Sequence, residues 1–146
     1  QVATDLGPEG LPSIHITEEG HPHRLRPGVQ EEVCGICRES LANSMHHAEA
    51  SRIDVEIIYE RRFFKVRCRD NGKGIPKEVM QSVGRKGHWG LRGMNERAKS
   101  IGAHFQIWST EGRGTEIEIR LRAAAAYIRR DTLKLYLRRF RSEGST

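Results

Sequence analysis

The chain has 146 residues, of which 36% are hydrophobic and 30% charged, with a formal net charge of +6. This length specifies one domain with a real core, and no run approaches the ~18 apolar residues of a membrane-spanning helix. Residues 1–122 carry 19 Lys/Arg against 17 Asp/Glu while 123–146 carry six against two, so the basic balance sits in the tail, and the body lacks the basic stripe interleaved with aromatics that nucleic acid would call for.

The first residue is Gln1 and no signal-peptide pattern follows, which points to a piece of a longer protein. Residues 1–12 are Gly/Pro-rich and read as a loose N-terminal segment. Ser13–Thr17 is a short alternating strand, residues 21–27 form a connector, and Pro27 is placed to open a helix. Val29, Val33, Ile36, Cys37, Leu41, Met45 and Ala48 then recur at three- and four-residue steps, the period of one long amphipathic helix. On that helix Glu39, Asn43 and His47 fall at i, i+4 and i+8 and form a polar stripe bordering the apolar one. Such a stripe is either an ordinary solvated face or one wall of a cleft.

Residues 52–60 alternate as a strand and pair with the next across a tight turn at Glu60-Arg61. In that second strand Phe64, Val66 and Cys68 share a face, and Asp70 continues it. A carboxylate ending an apolar row is costly unless something hydrogen-bonds it. Asp70-Asn-Gly-Lys-Gly-Ile-Pro76 then leads into a short helix with Pro76 at its first turn. A plain Asn-Gly turn is one reading of the heptapeptide; strand, buried acid, glycine turn and helix start together make a ligand pocket the other.

Residues 84–93, Gly-Arg-Lys-Gly-His-Trp-Gly-Leu-Arg-Gly, precede a second helix running from about Leu91 to Ile101, closed by Gly102. Glycines at a helix entry let backbone amides approach an anion. The Walker pattern and the eukaryotic-type kinase motifs are absent. Two more alternating strands, 104–110 and 115–121, are joined by Glu111-Gly-Arg-Gly114, and Thr115 turns a hydroxyl inward where it could meet Asp70. Hairpins with interspersed helices predict an α+β two-layer sandwich, a mixed sheet covered by helices on one face. Beyond Ala123 the tail reads as a basic helix with Leu133, Tyr136, Leu137 and Phe140 on one side; it either packs on its own domain or meets a membrane surface or partner. Cys34, Cys37 and Cys68 make no disulfide framework and no zinc set, and read as small hydrophobes in a reducing cytosol.

Four blocks in order resemble the catalytic and ATP-binding domain of sensor histidine kinases, in the group shared with DNA gyrase, heat-shock chaperone and mismatch-repair ATPases. Residues 38–48 match the asparagine box, 70–74 the first glycine box and 90–97 the second, and Gly112-Arg-Gly-Thr115 precedes the final strand. The second box and the His-Ala ending of the asparagine box resemble most the kinases paired with helix-turn-helix response regulators. The resemblance covers residues 13–122 and implies the Bergerat-type ATP-binding fold.

It also implies roles. Asn43 would coordinate magnesium, a hard ion suited to an amide oxygen, and Glu39 would orient a magnesium-bound water or polarise the reacting site. Asp70 would accept from the adenine amine, supported by Thr115 through a water, with Gly72 and Gly74 giving the purine room and Ile75 beside them. Lys86, Gly87, Gly90, Leu91 and Gly93 would form the lid over the phosphates, and His47 would contact phosphate or ribose. His46 stands where Lys or Arg is common, which weakens phosphate attraction, and Trp89 is an added aromatic in the lid. Nothing before Ser13 resembles a helix bearing the phospho-accepting histidine. The implied activity is delivery of the ATP γ-phosphate to a histidine on a separate dimerisation domain, then to a response regulator; the alternative is a nucleotide-sensing interaction module without phosphotransfer. The expected setting is cytoplasmic, with a membrane-anchored parent allowed. The full-length protein is expected to be a homodimer, this domain alone is not, and no direct nucleic-acid partner is expected.

Overall fold

The computed structural model describes residues 4–6, 10–81 and 90–129. In chain order the elements are β1 (Thr4–Leu6), β2 (Ser13–Gly20), α1 (Pro27–His46), β3 (Arg52–Tyr59), β4 (Phe63–Asp70), α2 (Lys77–Gln81), α3 (Leu91–Ser100), β5 (His104–Thr110), β6 (Gly114–Arg122) and α4 (Ala123–Ala126). The strands form one six-stranded sheet in the order β1-β2-β3-β4-β6-β5. β2 and β3 run parallel, joined through α1, and every other pair is antiparallel.

Alternation along the strands decides what the sheet covers. Ile53, Val55, Phe64, Val66, Cys68, Ile117, Ile119 and Leu121 point to one side and are buried there with Val33 and Ile36 of α1 and Leu91, Met94 and Ala98 of α3. The opposite face is a cross-strand charge ladder: Arg67 bonds Glu118 at 2.7 Å and Arg69 bonds Glu116 at 2.7 Å. Opposite charges directly across an antiparallel pair are the polar form of the cross-strand contact. The expected two-layer α+β architecture, helices on one face only, is the observed one.

The helix ends follow local chemistry. Pro27 occupies the first turn of α1. α3 closes in a Schellman motif, in which Ala103 N donates to Ala98 O at 2.9 Å, Gly102 N donates to Lys99 O at 3.1 Å, and Gly102 is left-handed.

Three features differ from the sequence reading. The segment expected to be loose contributes the edge strand β1, antiparallel to β2. The β3–β4 turn is centred one residue later than Glu60-Arg61, with Glu60 N donating to Phe63 O at 2.9 Å. The helix expected from Ala123 onward lasts one turn: Tyr127 is extended and bridges Leu25. Its ring is buried, and its hydroxyl lies 3.2 Å from the carbonyls of both Glu60 and Phe63. Residues 123–128 therefore belong to the domain body, while Leu133, Tyr136, Leu137 and Phe140 lie outside the described residues.

Candidate nucleotide site

The buried row of α1 runs Val29, Val33, Ile36, Ser40, Ser44. It begins aliphatic and ends in two hydroxyls. The change matches the strand it faces, because β4 runs from Phe64 to Asp70 on the same side. Asp70 is only 7% exposed, and a buried carboxylate must find donors. Ser44 Oγ donates to Asp70 Oδ2 at 2.8 Å, Gly72 N donates to Oδ1 at 2.9 Å, and Thr115 N reaches Oδ1 at 3.3 Å. No Arg or Lys is among these partners. A carboxylate has about four acceptor positions, so these three bonds leave capacity on Oδ2, and Asp70 lines a cavity.

Ser44 was not a sequence candidate. Met45 was expected on the apolar face, yet it is 38% exposed, and Ser44 takes the inward position beside it. The demand of Asp70 for a donor explains the swap. A signal existed in the sequence: Ser40 and Ser44 stand four apart, one helical turn, and a stripe of hydroxyls opposite an acid-ended strand needs a reason.

The cavity beside Asp70 is lined by Asn43, Ser44, Ile75, Leu91, Met94 and Thr115, among others, and encloses about 20 Å³, close to the space of a single water. A groove of about 520 Å³ opens between α1 and α3, walled by Arg38, Glu39, Gly90, Gly93, Met94 and Arg97. Met94 lines both spaces. A small apolar-walled slot with one buried acid thus adjoins a wider, charged groove.

Most of the expected residues converge here. Glu39 and Asn43 lie on α1, the first in the groove and the second in the slot. His47 is the exposed C-cap of α1, its N–H donating to Asn43 O at 2.9 Å. Ile75 is buried in the slot, with its N–H donating to Ser109 Oγ at 2.7 Å. Thr115 sits opposite Asp70 in the β4–β6 register, as expected. Its hydroxyl pairs with Ser109 Oγ at 2.8 Å, and its backbone N–H reaches Asp70.

Gly72 and Gly74 are both closely packed by neighbouring chain. A Cβ at Gly72 would overlap Ala48, and one at Gly74 would overlap Thr110. The space these glycines leave is filled by the protein itself, and their smallness seats the Asp70 turn between the end of α1 and the β5–β6 turn. Two backbone bonds hold it there: Lys73 N donates to Ala48 O at 2.8 Å, and Gly112 N donates to Lys73 O at 2.7 Å.

Gly90 is the N-cap of α3 and is left-handed, with φ 62°. Gly90 has no side chain to cap that end, and among the described residues no side-chain cap bond is seen there, so the positive end of the helix dipole lies beside the groove that Gly90 lines. Glu39 packs on the Cα of Gly90, in the space a Cβ would need. Across the groove Arg97 pairs with Glu32 at 3.1 Å, fixing α3 to α1. Leu91 is buried in the slot and Gly93 lines the groove. Lys86, Gly87 and Trp89 lie outside the described residues. Among the described residues no group of three or more His, Cys, Asp or Glu side chains could hold a metal ion.

The comparisons agree with this geometry. Sensor protein VraS of Staphylococcus saprophyticus is 31% identical over 109 residues, covering 73% of this chain and 29% of that protein. VraS of Staphylococcus haemolyticus is 33% identical over 99 residues, covering 66% and 27%. The chain therefore spans less than a third of the length of these relatives. The histidine kinase domain of the Erythrobacter litoralis EL346 blue-light activated histidine kinase shares the fold, with a TM-score of 0.64 at 18% identity over 76% of this chain and 52% of that one. Residues 28–125, which include the helix bearing Asn43, the Asp70 turn and the entry to α3, match one family throughout, and the chain belongs to the histidine kinase-, DNA gyrase B- and HSP90-like ATPases.

Proposed function

We propose that this chain is the ATP-binding catalytic domain of a two-component sensor histidine kinase. The observation that carries the reading is Asp70: a buried carboxylate held by Ser44 and Gly72 N, with acceptor capacity to spare, lining an apolar slot. That capacity suits an exocyclic amine, as on adenine. The slot must widen to admit a purine; its walls are α1 and its end (Ser40, Asn43, Ser44, Ala48), the sheet, and Leu91 and Met94 on α3. The triphosphate then lies in the groove, where Arg38, Arg97 and the N-terminal end of α3 supply positive charge. Asn43, between slot and groove, offers its amide oxygen to magnesium, and Glu39 orients water beside it.

Phosphoryl transfer of this kind asks the protein for positioning and charge neutralisation rather than covalent chemistry. The acceptor is a histidine on a dimerisation domain, and a response regulator takes the phosphoryl group onward. No helix among the described residues is long and apolar enough to cross a membrane.

Mixing the domain with ATP, magnesium and a matching dimerisation fragment tests the proposal, and phosphohistidine on the fragment is the expected product. Tight ATP binding without phosphohistidine would replace it with a nucleotide-sensing module, a reading that His46 at the end of α1 would then explain.

A further inference from the structure

We propose that Asn71 is a positioning residue of the nucleotide site, whose carboxamide clamps the loop after α1 to the Asp70 turn and so fixes where the buried carboxylate stands. Its consequence for base recognition rests on the nucleotide reading above; the clamp rests on hydrogen bonds alone.

An Asn-Gly pair in an ordinary turn uses the asparagine side chain on its own neighbours. Here the side chain bonds to Ser51, 20 residues earlier in the chain, and to Arg52. Oδ1 accepts from Ser51 N at 3.0 Å and from Arg52 N at 2.9 Å, and Nδ2 donates to Ser51 Oγ at 2.8 Å. The ladder gives the reason. β3 and β4 are antiparallel with Ile53 opposite Asp70, so Arg52 and Asn71 come next in register. In a hydrogen-bonded antiparallel pair the two residues exchange both main-chain bonds. Asn71 N does donate to Arg52 O, at 3.3 Å, but Arg52 N donates to Oδ1. The side-chain amide stands in for the main-chain carbonyl, and the backbone is released to turn into Gly72. Asn71 faces solvent, so the clamp is made without core packing.

The clamped loop leads back to the same carboxylate. Ala50 N donates to Ser44 O at 3.3 Å, Ser44 Oγ donates to Asp70 Oδ2 at 2.8 Å, and Asp70 adjoins Asn71 in the chain. These bonds close a ring through α1, the loop and the end of β4. Within the loop Glu49 is left-handed, with φ 51°, a conformation that persists only where its surroundings over-determine it. Loss of the carboxamide frees Ser51 and Arg52 from the turn. Both oxygens of Asp70 then shift, Oδ2 with Ser44 and Oδ1 with Gly72 N, which donates to it at 2.9 Å. A shifted carboxylate meets the base amine at a poorer distance and angle.

ATP and GTP affinities are measured by displacement of a fluorescent ATP analogue from the wild type, Asn71→Ala, Asn71→Asp and Tyr127→Phe, with amide hydrogen exchange recorded beside them. Asn71→Ala should bind ATP about tenfold more weakly, the scale of one hydrogen bond to a charged group. GTP should lose less, so the ratio of the two affinities falls. Asn71→Asp keeps both acceptor bonds and should hold the wild-type ratio. Tyr127→Phe weakens the remote end of the sheet and should hold it too. Exchange of the Ala50 and Gly72 amides should quicken in Asn71→Ala. Asn71→Gln, with its carboxamide one methylene further out, is judged by the same criteria if Asn71→Ala does not fold. A wild-type ratio in Asn71→Ala, or an equal fall in Asn71→Asp or in Tyr127→Phe, would overturn the assignment. A wild type that binds neither nucleotide would count against the function, and exchange then judges the clamp: faster in Asn71→Ala upholds it, unchanged overturns it.

Discussion

Ser44 Oγ donates to Asp70 Oδ2 at 2.8 Å, and this bond joins the helix that carries Glu39 and Asn43 to the strand that carries the buried carboxylate. One contact thus ties the acid proposed to recognise the base to the helix proposed to serve the phosphates. Ser44 Oγ also lies 3.0 Å from Ser40 O. A hydroxyl has one proton, so the geometry that donates to Asp70 leaves the Ser40 carbonyl to its helical partner.

Ser44→Ala removes that donor. Hydrogen bonds to charged groups contribute roughly 1.5–3 kcal/mol, so ATP affinity should fall ten- to a hundredfold, with a smaller loss in the urea unfolding midpoint. Titration calorimetry beside urea denaturation measures both. An unchanged ATP affinity would show that Asp70 keeps its position without the helix.

Asp70 itself should set base choice. Guanine presents a carbonyl where adenine presents an amine, and rejection in a site built for the lost hydrogen bond can reach roughly 10⁴-fold. Asp70→Asn places an amide nitrogen where it must face either the cavity or the N–H of Gly72, and its discrimination between ATP and GTP should collapse. Comparable affinity of the wild type for both nucleotides would remove the basis for assigning Asp70 to the base.

Much of this site is legible from sequence because strands report their faces. Phe64, Val66, Cys68 and Asp70 alternate, and once they are aligned the acid's burial follows without coordinates. The helix is harder. Adjacent positions differ by 100° around the axis, so hydropathy favoured Met45 inward, whereas the polar demand of Asp70 selects Ser44. The glycine turn was legible as a turn but not as a packing joint, since its contacts, Ala48 and Thr110, lie far away in sequence. Tyr127 falls in the same class, because its partners Leu25, Glu60 and Phe63 lie far away in sequence.

The second glycine box contains two glycines that should respond in opposite ways. Gly90 is left-handed and abuts Glu39; Gly90→Ala incurs about 1–2 kcal/mol of backbone strain and displaces that carboxylate. Gly93 lies within α3 with nothing within 4 Å of an added Cβ, so Gly93→Ala should gain about 0.5–1 kcal/mol in helix propensity. Urea midpoints should therefore move down for the first and up for the second. Shifts of the same sign would contradict the assigned N-cap geometry of α3.

The end of the sheet remote from Asp70 makes an alkaline prediction. Burial raises the pKa of Tyr127 above 10.0, with Tyr59 and Glu60 adding to it, and burial raises Tyr59 likewise, with Glu18 adding to it. A raised folded pKa means that the fold binds the phenolic proton more tightly than the unfolded chain does. The contribution of each tyrosine is fully present below pH 10.0 and is lost as pH climbs through the higher folded value. Tyr127→Phe deletes a hydrogen bond to the β3–β4 turn, about 1 kcal/mol at neutral pH, and also deletes one of the titrating groups. The variant should start less stable and then lose less as the pH rises, so the two stability curves converge on the alkaline side. Urea unfolding free energies measured from neutral pH to beyond 10.0 follow this directly. Parallel curves would mean that the Tyr127 phenol keeps its solution pKa, and that the joint between residues 123–128 and the connector before α1 is held by its backbone bridge and ring packing alone.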